Sequence, residues 1–354
     1  MTTAQLAHSL SCEAKSPFRR PDAGGLVSAA IVFIHGLAKK PPPEKLREIW
    51  IDWLGRDNPM PSAFEPPNDG LVLEAEGITD HFVYWADVFY GKAYDTDYSA
   101  YESFEGLEVV RAEVLGGADA PAPAAVPANA REAAFLAGFE AKLSAQPVLQ
   151  PAPPSTHEGA AAAGLEIASW LPEPIKQAVI KKAAMEAYYY LFDKEFDSPG
   201  GQRVKVRQHL RSLVLAQVAQ ARQQADRVIV VSHSMGTMLA YDVLRNCAEC
   251  PPVDTLFTLG SPLGVQEVQD ELKAQGQDSV DFPAEKLGHW INVYDPLDPV
   301  CGADPKFVND YAEVSGKRVV DIEESNWGKW RHTITHYLAG TQLRRELRRA
   351  ATEG

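Results

Sequence analysis

Ser234 is the residue of this chain best placed to do chemistry. It sits in the run Val228-Ile229-Val230-Val231-Ser232-His233-Ser234-Met235-Gly236-Thr237-Met238-Leu239-Ala240. Four β-branched residues predict a fully buried strand, and Met238, Leu239 and Leu244 supply the apolar positions of a helix that follows. A serine on a sharp strand-to-helix turn is held in a strained backbone, so its hydroxyl projects at the C-terminal edge of the sheet. The residues two before and two after must be small for strand and helix to approach each other. Ser232 and Gly236 satisfy that requirement, although Ser232 stands where glycine is commonest and gives up glycine's backbone freedom. The N–H of Met235, at the helix N-terminus, points where an oxyanion would form. The pattern is a nucleophile elbow.

A hydroxyl is a poor nucleophile until a base takes its proton and a carboxylate orients that base. The segment Trp290-Ile291-Asn292-Val293-Tyr294-Asp295-Pro296-Leu297-Asp298-Pro299-Val300 offers two acids. Asp295 stands at the strand end, and Asp298 lies in the loop with Pro299 fixing the turn. Asp298 is preferred, because a loop carboxylate can reach across to a histidine loop; the alternative is that both aspartates cap turns before proline. For the base, His332 closes the loop 326–331 and His336 lies one turn into the helix beyond it, beside Tyr337 and Leu338. Loop placement favours His332. The predicted catalytic set is therefore Ser234, Asp298 and His332.

The elements that must position these groups alternate along the chain. Residues 26–34 form an apolar strand ending in His35-Gly36-Leu37, and Pro41-Pro42-Pro43 precedes a helix with Leu46, Ile49, Trp50, Trp53 and Leu54 on one side. Residues 81–90, rich in aromatic and β-branched types, predict a second strand. A helix over 204–225 leads into the elbow strand, and strands are expected at 253–259, 289–294 and 318–322. Alternating strands and helices imply a mostly parallel sheet covered by helices on both faces, with ligands at its C-terminal edge. In a sheet of this kind the second oxyanion donor comes from the loop after an early strand. Gly36 allows the backbone turn there, leaving Leu37 N–H as the expected partner of Met235 N–H, while His35 is read as a structural residue bonded within the loop.

From about residue 95 to 200 the pattern changes. The Ala/Pro-rich stretches 118–128 and 145–154 read as linkers, and helices are expected over 130–143 and 174–196. The division is a tail at 1–25, a core of 26–95 with 200–354, and a helical cap or lid insertion at 96–199. In the second insertion helix Ile180, Ala184, Ala187, Tyr188 and Leu191 share a face, with Trp170-Leu171-Pro172 ahead of it. That face either covers an apolar pocket, with transient membrane contact, or simply packs on the domain. Arg344, Arg345, Arg348 and Arg349 in the last helix are read as complementing its dipole rather than binding acidic lipid.

Val-Phe-Ile-His-Gly (32–36), Val-Val-Ser-His-Ser-Met-Gly (230–236), Thr258-Leu259-Gly260-Ser261-Pro262 and Asp298-Pro299-Val300 together resemble an α/β-hydrolase of the serine esterase and lipase kind. The chain order Ser, Asp, His is that of the family. The resemblance covers residues 26–95 and 200–345. It implies hydrolysis of a carboxylic ester with an apolar acyl group through an acyl-enzyme, without metal or cofactor. A thioesterase, amidase or acyltransferase on the same residues is the alternative, as is a non-catalytic ligand-binding protein of the same fold.

Composition narrows the classes further. The 354 residues are 45% hydrophobic, ample for a core, and the net charge of −14 argues against nucleic-acid binding because no positive field neutralises phosphates. Four cysteines do not suggest a disulfide scaffold. Cys247 and Cys250 have C-x-x-C spacing but lack a second pair, so they read as helix-end thiols rather than a zinc or redox site. The first 25 residues show no basic start followed by an apolar run, and no apolar stretch approaches the roughly 20 residues of a membrane span. The expectation is a soluble, cytoplasmic protein acting on a small-molecule or lipid ester.

Overall fold

The computed structural model describes residues 28–36, 40–59, 68–91, 125–144, 173–274, 276–301, 304–327 and 331–352. Six parallel strands form one sheet: β1 (Ala29–Ile34), β2 (Ile78–Val83), β5 (Arg227–His233), β6 (Val253–Leu259), β7 (Leu287–Tyr294) and β8 (Val319–Glu323), in the order β2-β1-β5-β6-β7-β8. A parallel sheet must be covered on both faces, and its strands therefore read as continuous apolar runs. β1, Ala-Ala-Ile-Val-Phe-Ile, is buried at all six positions.

The period-2 alternation of β1 and β5 divides the core. Ala30, Val32, Ile34, Val228 and Val230 face one side, packed with α3 (Ala130–Ser144), α4 (Glu173–Leu191), α5 (Val206–Gln224), α6 (Met235–Asn246) and α7 (Gln266–Leu272). Ala29, Ile31, Phe33, Ile229 and Val231 face the other, packed with α1 (Pro43–Gly55), α8 (Ile334–Leu338) and α9 (Thr341–Thr352). The fold class is thus α/β, a parallel sheet flanked by helices on both faces.

Three expected elements differ from those observed. The strand expected at 81–90 is β2 at Ile78–Val83 followed by a short helix, α2 (Ala86–Tyr90). β2 is an edge strand, so Thr79 and Asp80 are tolerated in it, whereas the aromatic run that suggested a strand is shared between both elements. The helix expected to reach residue 196 stops at Leu191. Asp193 adopts φ 46° and Lys194 N–H reaches back to Tyr189 O at 3.0 Å, the pattern of a left-handed helix stop. The chain then makes an antiparallel hairpin of β3 (Glu195–Asp197) and β4 (Arg203–Lys205). The last helix is two, α8 and α9, broken at Gly340, where an added Cβ would lie 2.5 Å from Glu324 Oε2. That carboxylate accepts Gln342 N–H (2.8 Å) and Leu343 N–H (3.1 Å) and so caps α9.

Within the 96–199 segment, α3 and α4 belong to the same core as the sheet. Ile180, Ala184, Ala187, Tyr188 and Leu191 are buried as expected, but so are Ala183, Met185 and Tyr190, because α4 packs against α3, α5 and α7. Over residues 183–191 α4 is buried nearly all round, as an inner layer is. The face offered to a substrate in the sequence reading is therefore used in packing. The 1–25 tail, the Trp170-Leu171-Pro172 run and the linkers, apart from 125–128, lie outside the described residues. Among the described residues, no helix is long and apolar enough to cross a membrane.

Two arginines of α9, Arg344 and Arg348, have a different role from the one expected, while Arg349 lies in the last turn of the helix. Arg344 is fully buried and donates to Leu338 O (2.9 Å), Trp53 O (2.6 Å) and Arg56 O (2.9 Å). It satisfies the open carbonyls at the ends of α8 and α1, binding these two helices to α9, a tertiary role invisible to a dipole argument. Arg348 likewise reaches Asp69 O and Gly70 O.

Candidate functional site

The direction of the chain through the sheet reverses between β1 and β5: β2 lies on one side of β1, and β5 to β8 follow on the other. Open α/β sheets bind ligands in the crevice at such a switch, beyond the carboxyl ends of the strands. Ser234 lies at that place. It lies between β5 and α6 and has φ 54°, ψ −129°, the strained backbone expected of it. Its N–H is held by Leu259 O at 2.9 Å, and its carbonyl accepts Thr237 Oγ1–H at 2.6 Å.

The need for small neighbours has a direct cause. A Cβ on Gly236 would lie 2.5 Å from His35 O and 2.7 Å from Ile34 O, at the end of β1. A Cβ on Gly36 would lie 2.6 Å from the Cβ of Ser234. At the glycine-favoured position before the serine, Ser232 fits because its buried hydroxyl donates to Phe257 O on β6 at 2.9 Å.

His332, in the turn just before α8, places Nε2 at 2.9 Å from Ser234 Oγ. Its Nδ1 lies 2.8 Å and 3.0 Å from the two carboxylate oxygens of Asp298. The carboxylate fixes the proton on Nδ1, which leaves Nε2 to accept the serine hydroxyl. All three side chains are buried, with Asp298 fully so. Burial alone would push the Asp298 carboxyl up; His332, together with Tyr337 O–H and Val300 N–H, holds it below its ordinary value.

The two alternatives are placed elsewhere in the hydrogen-bond network. Asp295 accepts Leu297 N–H (2.7 Å), Asn326 N–H (2.8 Å) and Arg331 Nη1–H (3.2 Å). It therefore anchors the segment that carries His332, and burial lifts its carboxyl to about 6 despite Arg331. His336 is buried with its ring stacked on Trp327 at 3.9 Å. His35 is a loop brace. Its Nδ1–H donates to Gly36 O (2.6 Å) and its Nε2 accepts Trp85 N–H (3.0 Å), so it is neutral, with burial and Lys40 lowering its pKa to about 3.

Of the two expected oxyanion donors, Met235 is the first residue of α6, so its N–H has no acceptor within the helix. Leu37 lies outside the described residues.

Three contributors went unassigned in the sequence. His233 donates from Nε2 to His332 O at 3.0 Å and packs against its ring at 4.6 Å; burial keeps it neutral. Tyr337 donates to Asp298 Oδ2 at 2.7 Å. Gly260, at φ 52°, leaves room for the pair, since a Cβ there would lie 2.6 Å from Asp298 Oδ2 and 3.1 Å from His332 Nδ1. The signal for Gly260 was its place after a strand in Thr258-Leu259-Gly260-Ser261-Pro262; His233 and Tyr337 carried none. Among the described residues, no group of three or more His, Cys, Asp or Glu could hold a metal ion. Cys247 and Cys250 are free, buried thiols, pushed up by burial, Cys250 to about 12.

No protein-family model matches the chain, and no curated protein matches it significantly. Among solved structures, an uncharacterized protein from Pseudomonas aeruginosa is similar at a TM-score of 0.28 and 7% identity, with 84% of this chain covered. The chain spans 40% of that protein's length.

Proposed function

We propose that this chain is a serine hydrolase of α/β-hydrolase architecture that cleaves a carboxylic ester through an acyl-enzyme. The observation that carries the reading is the continuous hydrogen-bonded chain from Ser234 Oγ through His332 to Asp298. The order of its members along the sequence, after β5, β7 and β8, is in keeping with it.

Ser234 Oγ attacks the ester carbonyl carbon while its proton passes to His332 Nε2. Asp298 stabilises the imidazolium that forms. The negative oxygen of the tetrahedral intermediate faces Met235 N–H, with Leu37 N–H as the proposed second donor; each is worth about 3 kcal/mol in the transition state. Collapse breaks the bond to the leaving alkoxide, which takes the proton from His332. Water then repeats the sequence on the acyl-serine, returning the acid and the free hydroxyl. The acyl group we propose is apolar, as the resemblance implies. We place the reaction in the cytoplasm.

A fluorophosphonate probe tests the reading, because only an activated serine is labelled. Labelling confined to Ser234, with p-nitrophenyl esters turned over faster than acyl thioesters or anilides, is the expected result. Folded protein that fails to label would leave a ligand-binding protein instead. Faster thioester or anilide cleavage would move the assignment to a thioesterase or amidase.

A further inference from the structure

We propose that Tyr337 is a positioning residue for the His332–Asp298 pair, its phenol fixing the orientation of the carboxylate and setting how strongly that carboxylate supports the imidazole. The inference rests on the reading of Ser234 as nucleophile and names a residue that reading does not include.

Tyr337 lies on α8, five residues beyond His332, and is fully buried. A phenylalanine would fill the same space, so what needs explaining is the hydroxyl, which requires polar partners when buried. It has them. The backbone N–H of Asp295 points at the phenol oxygen at 3.2 Å, and an N–H can only donate. The phenol's own proton is thereby directed at Asp298 Oδ2, 2.7 Å away. Burial, with Asp298 nearby, raises the phenol well above its ordinary pKa, so it stays a neutral donor across the working range.

Asp298 Oδ2 therefore accepts two bonds, from His332 Nδ1 at 2.8 Å and from Tyr337, while Oδ1 accepts Val300 N–H at 2.8 Å. A carboxylate held at both oxygens cannot rotate away from the imidazole. Each donor also disperses negative charge that would otherwise act on His332, so the phenol weakens the pull of the carboxylate on the imidazole proton. Gly260 belongs to the same arrangement. A Cβ there would come within 3.1 Å of Tyr337 Cε2 and 2.6 Å of Asp298 Oδ2, at the meeting of phenol and carboxylate.

Other charged or titratable groups surround the pair, and of these the Cys301 thiol loses the phenol as a partner in Tyr337→Phe. His233 faces the imidazole from β5, with Lys40 acting on His233. Asp295, its partner Arg331 and the Cys301 thiol, 3.9 Å from the phenol oxygen, lie on the side of Tyr337.

The test compares Tyr337→Phe with the parent, using a p-nitrophenyl ester. Loss of one hydrogen bond to a charged group should lower kcat about tenfold, with KM unchanged because Tyr337 does not touch substrate. The acid limb of the pH profile should move up by about 0.5 pH unit. A purely structural tyrosine would lower Tm and leave that limb in place, and this outcome overturns the inference. 3-Fluorotyrosine at position 337 keeps the hydroxyl, strengthens it as a donor and should move the limb down; it serves also if Tyr337→Phe does not fold. The NMR titration of the His332 Cε1–H in parent and variant needs no turnover. If the parent fails to label with fluorophosphonate, the hydrolase reading falls, yet equal His332 midpoints in the two proteins would still refute the role of Tyr337.

Discussion

Two buried carboxylates near the elbow helix α6 differ in kind. Near its N-terminus Asp298 faces one imidazole. In its body Asp242 accepts both Arg207 and Arg211 in bidentate fashion, along with Tyr190 O–H at 2.7 Å and Asn246 Nδ2–H at 2.8 Å. Both are fully buried, and burial alone would raise both; partners hold both below the ordinary carboxylate range instead. The distinction lies in the partners. Two guanidinium groups never lose their charge, so the Asp242 cluster is closed and ties α6 to α5 and α4. An imidazole can gain and lose a proton, and beyond it stands a hydroxyl on a strained turn. A buried carboxylate thus reads as structural or reactive according to whether its partner can titrate.

The largest expected effect breaks the Asp298 side of this comparison at its far end. Ser234→Ala removes one oxygen from a turn and should reduce ester turnover about a million-fold, with Tm close to the parent's. Ester hydrolysis within tenfold of the parent would refute the assignment.

Next comes the contrast within the β7–β8 loop. Asp298→Asn should cost about ten-thousand-fold in kcat, because an amide favours the wrong imidazole tautomer. Asp295→Asn, which loosens the anchor of Asn326 and Arg331, should cost far less. The reverse ranking would make Asp295 the acid. The histidines follow suit: His332→Ala should silence probe labelling at Ser234, whereas His336→Ala should leave labelling intact and lower Tm by removing its stack on Trp327.

On the closed side, Asp242→Ala should destabilise the fold by about 3 kcal/mol, the low end for a broken buried pair because the Arg207 and Arg211 side chains keep 18% and 25% exposure. Urea unfolding measures it. The folded fraction should still label at Ser234; loss of labelling in folded protein would mean that the two clusters are coupled through α6.

The smallest effect concerns pH. Asp295 has a folded pKa raised to about 6, above its unfolded value of about 4, so the native state binds the extra proton between those limits. Stability should therefore fall as pH rises from about 4 to about 6, the cost of the buried charge being complete above that window. Asp295→Asn should make that part of the Tm–pH curve less steep, with Asp310 and Glu324, also raised, supplying the remaining slope. An unchanged slope would show that Asp295 does not titrate there.

Much of the site was legible because it is local. Ser234, its small neighbours and the buried strand before it are fixed by residues within a few positions, and loop position with chain order made Asp298 and His332 the preferred candidates over Asp295 and His336. The hairpin β3–β4 and the break at Gly340 were harder to read, because three-residue strands and a helix end capped by Glu324 leave little periodicity. Tyr337 was visible only as an apolar neighbour of His336, since nothing in its own helix says that its hydroxyl meets a carboxylate 39 residues earlier.

By itself the sequence determined the alternation of strands and helices, the elbow at Ser234 and the candidates for its partners, because periodicity and turn sterics act over short stretches. Tertiary structure decided the rest: the choice of Asp298 over Asp295 and His332 over His336 as hydrogen-bond partners, the use of the α4 face in the core, and the burial of Arg344 across three helix ends. Those outcomes depend on which groups are desolvated together, and desolvation is a property of the packed chain, not of any segment in it.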